Sequence, residues 1–418
     1  MLLSTLFTKT SKESSADAQS INADLLTRAG YVHKTMAGVY SFLPLGLRVL
    51  RRVEQVVREE MDAIGGQELL LSALAPKETW MKTGRWDTLD VLFKSVCGSD
   101  SEVALNPTHE EVVSPLAASF VASHKDLPFA CYQIQTKFRN EPRAKSGIMR
   151  GREFLMKDLY SFHKDQADLE RFYAIAQAAY LKVFERLGLA SKTYLTYASG
   201  GSFSKYSHEY QVILPNGEDT IYVSIEAEKH GQRIAVNKEI YEPGVTTCPV
   251  TGGTEFREER ASEAGNIFQL GTRFSEPFGL QFTDATGVRQ TAVMGCYGIG
   301  VSRLMGIIAE AFSDKSGLVW PKEVAPAEII ITPIAKEKTA DGYTRAFELY
   351  DRLQKRGVRC LLDDRIEGST GSRLADADLL GIPTRALVSE KSLAAGGVEV
   401  KTRATGEVVI LPLDAVGV

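Results

Sequence analysis

Residues 129–158 constrain this chain more than any other stretch, because they alternate between two chemistries. Gln133, Gln135, Lys137, Arg139 and Glu141 fall on one parity, with Tyr132, Ile134 and Phe138 on the other. Successive side chains of a strand point to opposite faces, so the pattern predicts a strand with one polar and one apolar side. After a basic loop, Arg150, Arg152, Phe154, Met156 and Asp158 share a parity in a return strand. A hairpin that offers cations, carboxylates and an aromatic ring to one side predicts the floor of a ligand cleft. A merely solvated face has no use for Phe154 and Met156.

A second string, Gly298-Ile-Gly300-Val-Ser-Arg303, stands 164 positions beyond Arg139. It follows a plausible strand (Thr291–Met294) and leads into a helical pattern of Leu304, Ile307, Ile308 and Ala311. A dinucleotide-binding turn wants a small sixth residue, for close helix–strand packing and approach of the pyrophosphate. Arg303 places a long cation there instead, and no run of βαβ units surrounds it. The glycines are read as letting a helix start pack close to a nucleotide, with Arg303 reaching its terminal phosphate.

Elsewhere the apolar spacing predicts amphipathic helices over 47–64, ended by Gly65-Gly66, and along Phe172, Ile175, Ala179, Val183 and Leu187. The segment 227–262 is polar, charged and turn-rich, and reads as a surface excursion. After the junction Trp320-Pro321 to Pro326, strand and helix patterns alternate: Ile329–Ile331, Tyr343–Arg356, Val358–Leu362, Ser372–Leu380 and Thr384–Val388. The fold class expected is therefore α/β (α+β), with an N-terminal domain over 1–324 and a small mixed α/β domain over 325–418.

Composition limits the partners. The formal charge is −4, so no polynucleotide site is announced by bulk charge. Over residues 137–152, however, six cations oppose Glu141 alone, a local charge of +5 that suits a polyanion. The five cysteines contain no C-x-x-C pair, which argues against a disulfide framework or a structural zinc site. Cys248-Pro249 is read as a plain turn. No apolar run approaches the ~20 residues of a membrane span, and the short apolar start lacks a basic lead. A cytoplasmic protein with no membrane or DNA partner is expected.

Phe138-Arg139-Asn140-Glu141, Arg150-x-x-x-Phe154-x-x-x-Asp158 and the late glycine turn together resemble motifs 2 and 3 of the class II aminoacyl-tRNA synthetases. Asn106-Pro-Thr108-His-Glu110-Glu111, Arg152 to His163, Ser207-His208-Glu209, Gly295-Cys-Tyr-Gly-Ile-Gly300, Leu362-Asp-Asp-Arg365 and Leu380-Gly-Ile-Pro383 are similar to the prolyl branch of that family. The resemblance implies an antiparallel-sheet catalytic domain with motif 1 at about 47–76, motif 2 at 132–158 and motif 3 at 291–312, followed by an anticodon-binding domain. It implies that Arg139 and Arg303 hold ATP, with Glu141, Arg150, Phe154, Asp158, Gly298 and Gly300 around it. Mg²⁺ would bridge the phosphates, with Glu226 as a possible ligand. Free proline needs an acceptor for its secondary ammonium, a cation for its carboxylate and a snug apolar slot. Thr108 and Glu110 meet the first need and Arg139 the second, with Phe162, His163, His208 and Cys296 as candidate walls. Contacts to tRNA are expected at Arg143, Lys145 and Arg152, and at Asp364, Arg365 and Arg373 in the small domain. A homodimer is implied, although Ser72 stands where the family carries its motif 1 proline. The short 227–262 segment leaves no room for a long editing insertion, so alanine misactivated in a proline slot would go uncorrected in cis. Two alternatives stay open: a synthetase for another small amino acid, and a non-catalytic tRNA-binding paralogue.

Overall fold

The computed structural model describes every residue except 15–19, 99, 145, 202, 204, 205 and 418. The chain forms two compact units, one of residues 36–39 and 54–307, the other of residues 1–35, 40–53 and 308–418. The cut expected near 325 falls inside the second unit. Composition marks the Pro-rich junction, but packing carries residues on both sides of it. The Trp320 indole donates to Tyr31 Oη at 3.1 Å, Tyr31 Oη donates to the Leu380 carbonyl at 2.7 Å, and Arg403 pairs with Asp314.

The larger unit is built on a nine-stranded sheet. Its order is Tyr206–Ile213, Thr193–Ser199, Ile234–Asn237, Asp219–Ser224, Phe256–Gly271, Val293–Ile299, Glu153–His163, Phe129–Phe138 and Gly66–Glu68. All neighbours are antiparallel except two pairings, Ile234–Asn237 on Thr193–Ser199 and the edge strand Gly66–Glu68 on Phe129–Phe138. The hairpin forms as its alternation requires, but its first strand ends at Phe138, so Arg139 and Glu141 belong to the loop. The glycine turn is the end of a longer strand, Val293–Ile299, followed directly by the helix Val301–Phe312.

One face of the sheet packs on the helix Gln166–Arg186. Its buried stripe includes Leu169, Tyr173, Ala176, Ala179, Tyr180, Val183 and Phe184, with Leu187 just beyond its end. Of the expected face Ala179, Val183 and Leu187 are buried and Phe172 is half-buried, while Ile175 is exposed because Tyr173, Ala176 and Tyr180 widen the buried side. The segment 227–262 is not a surface excursion throughout. Ile234–Asn237 is a fully buried strand inside the sheet, and Phe256 opens the longest strand of the protein. The polar text that suggested an excursion belongs to the turns of 238–255 and to the exposed beginning of that strand.

The smaller unit carries a five-stranded sheet in the order Cys360–Leu362, Ile329–Ile334, Thr384–Ser389, Val398–Thr402 and Val408–Leu411. The first three strands are parallel and the last two antiparallel, the mixed sheet expected. Helices Asp341–Lys355 and Thr370–Leu380 accompany it, and Ile331, Leu349, Leu353, Leu362, Ala386 and Val388 lie in its core. No helix among the described residues is long and apolar enough to cross a membrane.

Lys157 tests the packing of the helix-facing side of the large sheet. Its odd parity in the return strand turns it away from Asp158, and its ammonium donates to Tyr180 Oη at 2.6 Å and the Tyr297 carbonyl at 2.9 Å. Burial lowers its pKa to about 7. The unfolded chain therefore holds a proton that the fold disfavours, so this group's contribution to stability rises with pH from about 7 to its ordinary value and is flat below. Lys157→Met is expected to raise stability at pH 7 by about 1–3 kcal/mol, after the loss of two hydrogen bonds. It should also flatten the stability–pH slope between pH 7 and 9.5, measured by chemical denaturation. A variant as pH-sensitive as the parent would show that the ammonium stays charged in the fold.

Candidate active site

The antiparallel register lines up residues from five strands in one row: Gln133, Asp158, Gly298, Asn266 and Glu209. Polar side chains flank a glycine, so the centre of the row is empty. A Cβ at Gly298 would stand 2.5 Å from Met156 Cε. The neighbouring same-face row reads Cys131, Tyr160, Cys296, Phe268 and Ser207. A polar row thus lies beside a mostly apolar one, and a cavity of about 190 Å³ opens over both. Its lining includes Thr108, Arg139, Phe154, Met156, Asp158, Phe203, Phe268, Cys296, Gly298, Gly300 and Arg303.

Glu263, Ala264, Gly265 and Asn266 also line this cavity, four consecutive residues of one strand. Regular alternation allows only every second residue. The pairing of the long strand with Tyr206–Ile213 slips between Tyr210 and Gln211, a bulge that re-aims the strand here. Glu263 escapes sequence reasoning for this reason, whereas Asn266 keeps regular parity with Phe268 and belongs to a strand not assigned from the sequence.

Arg139 and Arg303 face the same space, and both also line a second, strongly polar cavity of about 180 Å³ with Glu141, Arg150, Glu218, Asp219 and Glu263. Arg139 stacks over the Phe154 ring at 5.1 Å. Arg303 is anchored by the Met149 carbonyl at 2.7 Å, the Glu263 carbonyl at 2.8 Å and the Glu263 carboxylate at 3.0 Å. Ser302 Oγ accepts from Leu155 N at 3.1 Å and pins the helix start to the return strand. Burial, then the facing charge of Arg303, push the Arg139 guanidinium below its ordinary pKa. Two facing guanidiniums of this kind are relieved by a bound anion.

At the other end, Thr108 Oγ1 donates to Glu110 Oε2 at 2.5 Å and Cys296 Sγ donates to Glu110 Oε1 at 3.2 Å. Glu110 is fully buried at the first turn of the helix Glu110–Ala118. Phe203 and Phe268, 4.8 Å apart, form an aromatic wall beside it. Beneath, Lys137 Nζ lies 2.6 Å from Asp158, which also accepts from Gln133 and Tyr160. Burial alone would raise the Asp158 carboxyl, but Lys137 and these donors hold it below its ordinary value. Burial, with Lys137 nearby, lowers His109 to about 4, so its ring is neutral.

Three of the expected walls are not walls. His163 has odd parity, faces the helix side and pairs with Asp168 at 3.1 Å. His208 lies on the same side, bonded to Tyr173 Oη at 2.8 Å, and its neighbour Glu209 takes the site face. Phe162 has site-face parity but lies one row further, stacked on Phe129 at 4.6 Å within the core. Glu141 is held by Arg150 at 3.1 Å, and its carbonyl accepts from Arg152 at 2.9 Å. Arg143 is exposed, and Lys145 lies outside the described residues.

In the smaller unit, Asp364 accepts from Ser4 N at 2.9 Å and Arg365 pairs with Asp363 and Asp376. Arg373 is buried, with its guanidinium spent on Asp363 and the Pro333 carbonyl, so it is a strut of the domain and not a base contact.

Glu226 is exposed on the short helix Ile225–Lys229 and lines neither cavity, which removes it as a metal ligand for this site. Among the described residues no three His, Cys, Asp or Glu side chains form a metal cage. The donor set that does fit a cation is open. Asn266 Oδ1 and Gln211 Oε1 are buried without partners beside Glu209 and Glu263. Burial, then Glu263, raise Glu209 to about 8. Hard oxygen donors that leave most of the coordination shell open suit Mg²⁺ arriving with phosphates and water.

A family model described as the tRNA synthetase class II core domain (G, H, P, S and T) matches residues 93–312, and one described as the anticodon binding domain matches 328–417. The proline–tRNA ligase of Phenylobacterium zucineum (strain HLK1) is 38% identical over 437 residues, covering 99% of this chain and 98% of that protein. That of Bacillus cereus (strain AH187) is 34% identical over 552 aligned residues while covering 97% of this chain, so it carries a long stretch absent here. The Giardia lamblia prolyl-tRNA synthetase in complex with prolyl-adenylate superposes with a TM-score of 0.77 at 22% identity, over 93% of this chain and 74% of that one. At that identity the likeness is one of fold.

The facing guanidiniums give a test that needs no assumed reaction. Inorganic pyrophosphate at millimolar concentration is expected to raise the thermal midpoint by a few degrees, as an anion bound only by the folded state must. Arg303→Met should remove most of that shift. An equal shift in the variant would place the anion elsewhere.

Proposed function

Because this chain belongs to the proline–tRNA ligases, a branch of the class II aminoacyl-tRNA synthetases, we infer that its double cavity joins L-proline to ATP and passes the prolyl group to tRNA. The observation that carries this reading is the convergence of Arg139 and Arg303 on one cavity whose other end holds Thr108, Glu110 and Cys296. The proline carboxylate attacks the α-phosphate of ATP, the bond to the β-phosphate breaks, and pyrophosphate leaves as prolyl-adenylate forms. A hydroxyl at the tRNA 3′ end then attacks the prolyl carbonyl and AMP departs.

Little covalent help is needed from the protein in the first step; alignment and charge stabilisation supply most of it. Arg139 sits between the two ends of the cavity and meets both the carboxylate and the α-phosphate. Its planar fork and permanent charge suit two anions at once. Arg303 meets the γ-phosphate end, and Phe154 gives the adenine a flat apolar surface. Glu141, oriented by Arg150, accepts from the adenine amino group. Glu110 and Thr108 take the secondary ammonium, and Phe203, Phe268 and Cys296 enclose the ring. Glu263 and Asn266 would hold Mg²⁺, which, when bound, neutralises phosphate charge.

Arg143 and Arg152 in the motif 2 loop contact the acceptor end of tRNA, Lys145 is a further candidate by sequence alone, and the anticodon is read by the smaller unit around Asp364 and Arg365. The functional division at about residue 325 separates these two tasks, and the family models support it by matching either side. The protein acts in the cytoplasm as a homodimer. Support for the dimer comes from the sheet edge at Gly66–Glu68, where an apolar groove of about 280 Å³ runs past Leu69, Leu116, Phe120 and Phe129, with Leu70 at 75% and Phe120 at 78% exposure.

Proline-dependent exchange of labelled pyrophosphate into ATP tests the assignment. Proline should dominate a panel with alanine, cysteine and threonine, and Arg139→Ala or Arg303→Ala should cut exchange by about 10² or more. A preference for another amino acid, or full activity in either variant, refutes the assignment. Alanine should be activated slowly, since missing methylenes are worth only ~1–3 kcal/mol, and added alanyl-tRNA should survive with the enzyme. Sedimentation should report a dimer for the parent and a monomer for Phe120→Asp.

A further inference from the structure

Among the described residues, Arg85 is a cation that touches both the ammonium end and the aromatic wall of the cavity without lining it. It is 4% exposed and stands at the start of the short helix Arg85–Thr88, immediately after Gly84 in the left-handed region. Its Nη1 donates to Glu111 at 3.0 and 3.2 Å and lies 3.6 Å from Glu110 Oε2. Its guanidinium carbon also sits over three rings, at 5.0 Å from Phe203, 5.4 Å from Phe274 and 5.7 Å from Trp80. Thr83 Oγ1 adds a bond to Glu111 at 2.9 Å.

The charges here do not balance, and the imbalance has a use. Glu110 and Glu111 are both fully buried, and Arg85 is the cation paired with them. Lys137, the next ammonium below, is committed to Asp158. Burial pushes the Glu111 carboxyl up, and Arg85 opposes that shift. One carboxylate is thus answered by the guanidinium, and one negative charge remains beside the cavity. A secondary ammonium supplies the missing positive charge.

We propose that Arg85 is a positioning residue for the amino-acid substrate: by taking Glu111 it leaves Glu110 free for the ammonium, and by stacking on Phe203 it sets the wall that encloses the ring. This rests on the proline-activation reading above and adds to it a residue that never meets the substrate. Lysine is no substitute, because a compact ammonium offers neither the fork nor the flat surface. Glu111 is the sharper probe. Without its carboxylate, Arg85 has only Glu110 within reach and competes with the substrate for it.

The experiment measures the KM values for proline and for ATP separately, in pyrophosphate exchange, for the parent, Glu111→Gln, Arg85→Lys and Arg85→Met/Glu111→Gln. Glu111→Gln should raise the proline KM about tenfold with the ATP KM unchanged within about twofold. Arg85→Lys should raise the proline KM alone by a smaller factor. The double variant, which restores the single uncompensated charge, should recover much of the loss. Glu111→Gln is nearly isosteric and keeps the experiment decisive if an Arg85 variant does not fold. A proline KM unmoved in Glu111→Gln, or proline and ATP KM values rising together, overturns the proposal. A parent enzyme without proline-dependent exchange would instead refute the reading on which it rests.

Discussion

The arrangement of the site depends on the antiparallel register of one strand, Val293–Ile299. It sets Gly298 between Asp158 and Asn266, and Cys296 between Tyr160 and Phe268. Both rows cross this strand, so a slip of one residue would turn Cys296 to the helix face and bring Tyr297 and Ile299 into the site rows. Burial on that second face makes such a slip costly: Tyr297 and Ile299 point into the core with Tyr173 and Tyr180. The hydrophobic packing behind the sheet therefore holds the polar chemistry in front of it.

The empty centre of the polar row is as consequential as its occupied flanks. Gly298 has no side chain where Met156 already fills the space, and Gly300 leaves the Arg303 stem room to fold back beside the strand end. The cavity is then closed from above by groups that arrive from loops and helix starts, Thr108, Arg139, Phe203 and Arg303. Rigid strands supply the floor, and termini supply the charges. Backbone and Glu263 contacts orient Arg303, whereas among the described residues the Arg139 guanidinium has a long bond to the Pro107 carbonyl, 3.5 Å, and the Phe154 ring. The less restrained guanidinium is the one proposed to meet two anions.

Much of this was legible in the chain because alternation is a strong signal. The hairpin and its polar face follow from it, whereas the pairing of Arg139 with Arg303 is implied by the resemblance to motifs 2 and 3. Where the reading failed, it failed in physical terms. His163 and His208 have the chemistry of a polar wall, but strand parity sends both to the helix side. Glu263 is hidden by a bulge that periodicity cannot foresee, and Asn266 by the polar text at the start of its strand. Arg373 has the chemistry of a nucleic-acid contact, but Asp363 and a carbonyl inside the domain consume it. The strands Val398–Thr402 and Val408–Leu411 went unread, although their β-branched residues carried a signal of the same kind.

Charge balance separates the two ends of the cavity more clearly than shape does. At the nucleotide end, Arg139, Arg150 and Arg303 line a space shared with Glu141, Glu218, Asp219 and Glu263, with Glu263 bonded to Arg303 and Glu141 to Arg150. At the amino-acid end, two buried carboxylates share one guanidinium. The amino-acid end is short of a positive charge and the nucleotide end holds two facing guanidiniums; on the proposed reading an ammonium meets the first and phosphates the second. Like charges held together at low dielectric are costly in the empty protein, and that cost is relieved only when both partners are present. On the reading proposed above, a zwitterionic amino acid laid across the cavity, ammonium toward Glu110 and carboxylate toward Arg139, satisfies both ends in a single orientation. The same orientation aims its carboxylate at the phosphate it must attack, so the electrostatics that select the substrate also align it.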